Sequence, residues 1–135
     1  MLTGRCLCGG VRFEISGELA PLGYCHCKQC QRASGSAFAA NSSIARSDLR
    51  FLEGEELLRG YESSPGRFRV FCSRCGSPVY KRVNEQPDSV RIRLGLLDGD
   101  PGLRARVHVF VAEKAPWYEI TDSLPQLPEG LPPRR

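Results

Sequence analysis

The chain has no run of about 18 apolar residues, so no segment of it suits a membrane-spanning helix. Its opening, Met1-Leu2-Thr3-Gly4-Arg5, reaches Cys6 without the apolar stretch that a secretory signal needs, and a cytoplasmic protein is expected. A concentrated basic face is also missing. Lys and Arg number 19 against 15 Asp and Glu, and the arginines are scattered from Arg5 to Arg93, so nucleic acid is not an expected partner. The mild positive balance suits small anionic substrates instead. Helical periodicity is lacking beyond a turn or two, and no segment recurs at a fixed interval. With 135 residues there is room for one domain and not comfortably for two.

What is present is turn chemistry and short alternating runs. The 14 Gly and 10 Pro punctuate the chain at Glu53-Gly54, Ser64-Pro65-Gly66 and Asp100-Pro101-Gly102. Between such signals lie strand candidates at 11–15, 49–52, 57–61, 68–71, 79–83, 90–94 and 107–111. The apolar run 37–40 follows the break at Ala33-Ser34-Gly35-Ser36, and a short helix is allowed after Ser47-Asp48 or Asp100-Pro101. Many short strands with frequent turns imply a mainly β, antiparallel domain. It is expected over residues 1–127, followed by a loose Pro-rich tail over 128–135.

Seven cysteines are the strongest signal. An odd count without a secretory signal argues against a disulfide framework, and a reducing compartment leaves thiols free for metal. The spacing is Cys6-x-Cys8, Cys25-x-Cys27-x₂-Cys30 and Cys72-x₂-Cys75-Gly76. The last reads as a knuckle turn that supplies two thiolates, with Gly76 allowing the left-handed backbone. A structural zinc takes four ligands. Cys6 and Cys8, two apart on a strand, would face one side and complete the set. Cys25, Cys27 and Cys30 then form a second site with three thiolates and one open position, the arrangement of a catalytic zinc. The alternatives for the trio are a disulfide, weak metal binding, or a closed site with His26 as fourth ligand. His26 lies between two of these cysteines, which directs its side chain away from a site they share. His108, in an alternating strand, reads as a core histidine.

These residues carry a family resemblance. Cys6-Leu7-Cys8-Gly9-Gly10-Val11-Arg12-Phe13, Cys25-His26-Cys27-Lys28-Gln29-Cys30-Gln31-Arg32 with Gly35-Ser36-Ala37-Phe38, and Arg69-Val70-Phe71-Cys72-Ser73-Arg74-Cys75-Gly76-Ser77-Pro78 resemble successive motifs of the glutathione-dependent formaldehyde-activating enzyme family. Gly95-Leu96-Leu97-Asp98, His108 and Trp117 with Asp122-Ser123-Leu124-Pro125 are similar to its last ones. The resemblance implies a β-tent fold like the zinc domain of B-type methionine sulfoxide reductases. It implies a structural zinc at Cys6, Cys8, Cys72 and Cys75 and a second zinc at Cys25, Cys27 and Cys30, the latter carrying catalysis; because three thiolates already overcompensate Zn²⁺, that second zinc is expected to be labile. The implied activity is a carbon–sulfur lyase reaction, the addition of glutathione to formaldehyde to give S-hydroxymethylglutathione. The rival reading is a non-catalytic, zinc-stapled module that binds a small molecule or protein. Glutathione carries two carboxylates, so basic side chains should line its pocket, and Arg32, Arg67 and Arg69 are the candidates nearest the cysteine motifs. Trp117 is expected to pack in the core and Asp98 to cap a turn. Exposed sheet edges leave both monomer and homodimer open.

Overall fold

The computed structural model describes residues 1–131. Ten strands and one short helix follow in the order β1 (Leu2–Arg5), β2 (Arg12–Ile15), β3 (Leu22–Cys25), α1 (Lys28–Ser34), β4 (Ala39–Ala45), β5 (Leu49–Glu53), β6 (Leu58–Ser64), β7 (Arg67–Cys72), β8 (Pro78–Val83), β9 (Ser89–Arg93) and β10 (Ala105–Val109). They form a three-stranded sheet, β1-β2-β5, and a seven-stranded sheet, β10-β3-β4-β9-β8-β7-β6. The expected mainly β architecture is present. Every ladder is antiparallel except β10 with β3, which is parallel because the long segment between them returns on the same side.

Alternation along the strands decides what the large sheet does with its two faces. Ile44 on β4 and Val90 and Ile92 on β9 join Phe13, Ile15, Leu49 and Val79 in the apolar core between the sheets. Phe13 meets Phe51 edge to face with centroids 6.3 Å apart. The intervening residues point the other way, and there the large sheet is polar: Asn41 and Ser43 on β4, Arg91 and Arg93 on β9, Lys81 on β8, Arg67 and Arg69 on β7.

The strand expected to run to residue 111 stops at Val109, because Phe110 takes a left-handed backbone at φ 57°. The chain around 125–129 then lies along the outer edge of β10. His108 N donates to Pro125 O, Leu127 N to His108 O, and Phe110 N to Glu129 O. This part of the Pro-rich tail covers a sheet edge, whereas 132–135 lie outside the described residues. No helix among the described residues is long and apolar enough to cross a membrane.

Candidate functional site

The cysteines gather into two clusters. The sulfurs of Cys6, Cys8, Cys72 and Cys75 lie within 4.8 Å of one another, and so do those of Cys25, Cys27 and Cys30.

The four-cysteine cluster ties the two sheets together, since β1 leads into Cys6 and β7 ends on Cys72. At the knuckle, Gly76 takes φ 79° and its N–H donates to Cys72 O at 2.7 Å. Cys6 and Cys8, however, are not two positions of a strand. β1 ends at Arg5, and a turn closed by Gly9 N to Cys6 O brings the two sulfurs to 3.5 Å. The turn also aims backbone N–H groups at sulfur: Val11 N to Cys6 Sγ at 3.3 Å and Gly10 N to Cys8 Sγ at 3.4 Å. The Gly10 N–H and the Arg74 guanidinium lower the Cys8 pKa. The Ser77 hydroxyl, 3.2 Å from Cys75 Sγ, brings that thiol down to about 5. Burial pushes Cys72 up. Charge-assisted N–H and O–H donors around sulfur favour the thiolate form that a metal ligand requires.

The three-cysteine cluster is assembled by the junction of β3 and α1. Cys25 is the last residue of β3, Cys27 caps α1 by accepting from Cys30 N at 3.3 Å, and Cys30 lies in the first helical turn. The intervening His26 turns into the protein, as its position between two converging cysteines requires. Its N–H donates to Val109 O, and Gln31 Nε2 donates to both His26 O and Glu113 O, locking the loop to β10 and to the 3₁₀ turn at Val111–Glu113. The His26 ring is fully buried and meets His108 through Nε2 and Nδ1 at 2.8 Å, while His108 Nε2 faces Asp122 at 3.0 Å. An ionised carboxylate only accepts, so His108 carries its proton on Nε2 and accepts at Nδ1 from His26 Nε2–H. His26 Nδ1 is then a bare acceptor, and it has no partner among the described residues. Hydrogen bonds from Cys25 and Cys27, and then from Arg69, pull the Cys30 thiol far down, while Cys25 is pushed up by the same sharing. Arg69 Nη1 donates to Cys30 Sγ at 3.6 Å, its Nε to Ser63 Oγ and its Nη2 to Gln29 Oε1.

Cys25 and Cys27 open onto a cavity of about 720 Å³ whose floor is the polar face of the large sheet. Arg67 and Arg69 line it, as expected, but Arg32, in the last turn of α1, does not. Lys28, Lys81 and Arg91 line it as well, and Glu113 is the carboxylate among the lining residues. Phe110, Gly130 and Leu131 form its far side. Cys30 borders a second cavity of about 320 Å³ on the other side of the cluster. Trp117, expected in the core, is 71% exposed. It follows Pro116 in a turn and leaves packing around His26 to Phe38 and Tyr118. Asp98 pins β1: its Oδ2 accepts from Thr3 Oγ1 and its N–H donates to Thr3 O, both at 2.9 Å.

The chain is similar to known proteins through this same region. It is 34% identical over 128 residues to a Halomonas elongata protein named "putative glutathione-dependent formaldehyde-activating enzyme", covering 89% of this chain and 81% of that one. It is 26% identical over 119 residues to an "uncharacterized lyase" of Schizosaccharomyces pombe, covering 88% and 85%. The crystal structure of a Rhodobacter sphaeroides protein, 27% identical, superposes with a TM-score of 0.62 over 73% of this chain and 89% of that one. Residues 1–113, which contain all seven cysteines, match the family model described as "Glutathione-dependent formaldehyde-activating enzyme", and the chain belongs to that family.

Proposed function

We propose that Cys6, Cys8, Cys72 and Cys75 hold a structural zinc and that Cys25, Cys27 and Cys30 hold a second zinc with one position open. On this reading the chain is a carbon–sulfur lyase that joins a small-molecule thiol of the glutathione type to formaldehyde or a related small aldehyde. The observation that carries it is a trio of converging sulfurs, two of which, those of Cys25 and Cys27, open onto a cavity large enough for a tripeptide thiol. The donor sets fit the ion. Zn–S bonds of about 2.3 Å in a tetrahedron put sulfurs about 3.8 Å apart, and the pairs Cys6–Cys8 and Cys8–Cys72 stand at 3.5 and 3.9 Å. The names of the Halomonas and fission-yeast relatives point to the same chemistry.

A zinc at the trio would lower the pKa of a thiol bound at its fourth position, supplying thiolate at neutral pH. The protein's own side chains do the rest. Arg69, donating to Cys30 Sγ, offsets part of the negative charge that three thiolates concentrate there, which favours an anionic sulfur arriving beside them. Cys27 as helix cap and Cys25 at a strand end hold their sulfurs on rigid elements, so the incoming thiol is fixed relative to the cavity. In the reaction one S–C bond forms, the carbonyl π bond opens, and the thiol proton ends on the new hydroxyl oxygen. No redox partner is needed.

The test is NMR exchange between formaldehyde hydrate and S-hydroxymethylglutathione at several enzyme concentrations. A saturable rate above the uncatalysed one, abolished in Cys27→Ser, is expected. Zinc-dependent folding without such a rate would favour the binding-module reading, and a Cys27→Ser protein with wild-type turnover contradicts the role given to the trio.

A further inference from the structure

The floor of the large cavity holds a row of cations set directly opposite one another. Arg69 on β7 pairs with Lys81 on β8, Lys81 pairs with Arg91 on β9, and Arg91 pairs with Ser43 on β4. Arg67 stands on the same face, two residues before Arg69. Like charges directly opposite across strands destabilise a sheet, and this row lacks the acids that normally relieve such a conflict. Among the described residues, no carboxylate lies within ion-pair distance of Arg67, Arg69, Lys81 or Arg91. Arg69 is occupied by Cys30, Ser63 and Gln29. Lys81 is different. It is only 9% exposed, lines the cavity, and its side chain makes no hydrogen bond among the described residues. Its stem is buried and its ammonium meets the cavity without a protein acceptor, so the charge is only partly solvated in the free protein. Its burial, and then the Arg69 and Arg91 charges, push its pKa down, as an uncompensated cation requires. The cysteine trio adjoins Arg69 and answers at most part of the row.

We propose that Lys81, flanked by Arg91 and Arg67, is the carboxylate-binding and specificity-determining residue of the cavity, selecting thiols that carry carboxylates over uncharged ones. This rests on the proposed function for the identity of the reacting group, but not for the anion. The substrate's carboxylate supplies the missing acceptor for Lys81, and Ser43 and Asn41 at the end of the row offer neutral polar contacts beside it. The cost of the unrelieved row in the free protein is then returned as binding selectivity, since an uncharged ligand leaves Lys81 buried and unpaired.

The experiment is isothermal titration calorimetry of the metal-loaded protein with S-methylglutathione, which keeps both carboxylates and has no free thiol, and with its dimethyl ester. The acid is expected to bind at least about tenfold more tightly than the ester, and more weakly as salt rises. Lys81→Met should lose that preference while keeping wild-type metal content and melting at or above the wild-type temperature, because a cation is removed from a like-charged row. Arg91→Met, at an exposed position, should lose part of it. Equal binding of acid and ester, or an undiminished preference in both variants, overturns the proposal. Selective acid binding without thiol–aldehyde turnover leaves the wall standing and removes the enzyme reading. Turnover of glutathione and its diester with equal KM removes the wall and leaves the enzyme.

Discussion

At the scale of single residues, the sulfur chemistry is set by neighbours that are not ligands. Ser77 Oγ accepts from Leu7 N at 2.9 Å and so turns its own proton toward Cys75 Sγ. That hydrogen bond is the first cause of a Cys75 thiol held to about 5. A lowered thiol pKa weakens the competition of protons with metal for that sulfur, so metal is held to lower pH. Ser77→Ala raises the Cys75 pKa, and the midpoint of acid-driven metal release should move up by about one pH unit. A chromogenic chelator reads this directly, and an unmoved midpoint would show that the hydroxyl does not tune the site. His26 works in the opposite chemical sense. Burial first, and then the His108 ring, push its imidazole below the usual value. The unfolded chain therefore takes up a proton that the folded one refuses, and the contribution to stability is present above about 6.5 and lost as pH falls below it. Asp122, lowered by its bond to His108, adds a loss at still lower pH. Thermal melts of metal-loaded protein should decline from about pH 7.5 to 5.5 while the chelator still detects no released metal. A flat profile would argue against a neutral His26.

At the scale of elements, the loops around the four-cysteine cluster are packed against each other with no slack. Gly54, after β5, takes φ 79°, and a Cβ there would fall 2.0 Å from Gly10 O, in the turn that follows Cys8. Gly54→Ala combines left-handed strain with a backbone clash, and a loss of about 2–4 kcal/mol is expected in denaturant unfolding of the metal-loaded protein. A loss under about 0.5 kcal/mol, the range of ordinary surface substitutions, would mean the two turns part easily. The elements also show what the sequence made legible. Strands with one apolar and one polar face, such as β2, β8 and β9, stand close to the stretches that alternate. β4 overlaps only the end of the apolar run 37–40, because its continuation through Asn41-Ser42-Ser43 carries no apolar alternation. In the sheet Ser42 is buried and bonded to Ala20 O, while Asn41 and Ser43 face the cavity. β3 and β1 carry too little alternation over four residues, and α1 is too short to show a helical period. For the site, the cysteines were legible because ligand spacing is local. Lys81 and Arg91 were not, because strand register alone sets them in one row with Arg69, each on a different strand. Arg32 is near the motif in sequence yet sits in the last turn of α1 and does not line the cavity, which shows how far proximity along the chain can mislead.

At the scale of the whole molecule, the two sheets have divided the work. The small sheet and the apolar face of the large one form the core. The four-cysteine cluster fastens them at one end, with Cys6 and Cys72 buried among Val11, Leu57 and Leu58. The polar face of the large sheet is thereby left free, and α1 and the segment after β10 enclose it as a cavity with Cys25 and Cys27 of the trio at its wall. On the proposed reading, a scaffold fixed by the four-cysteine cluster leaves the other three cysteines available for chemistry. The most direct measurement of that division is zinc per chain, by elemental analysis, of the wild-type protein beside Cys27→Ser. About two zincs in the wild type and about one in the variant are expected, with both proteins folded. One zinc in each would contradict it, because the three-cysteine cluster would then not be a metal site at all.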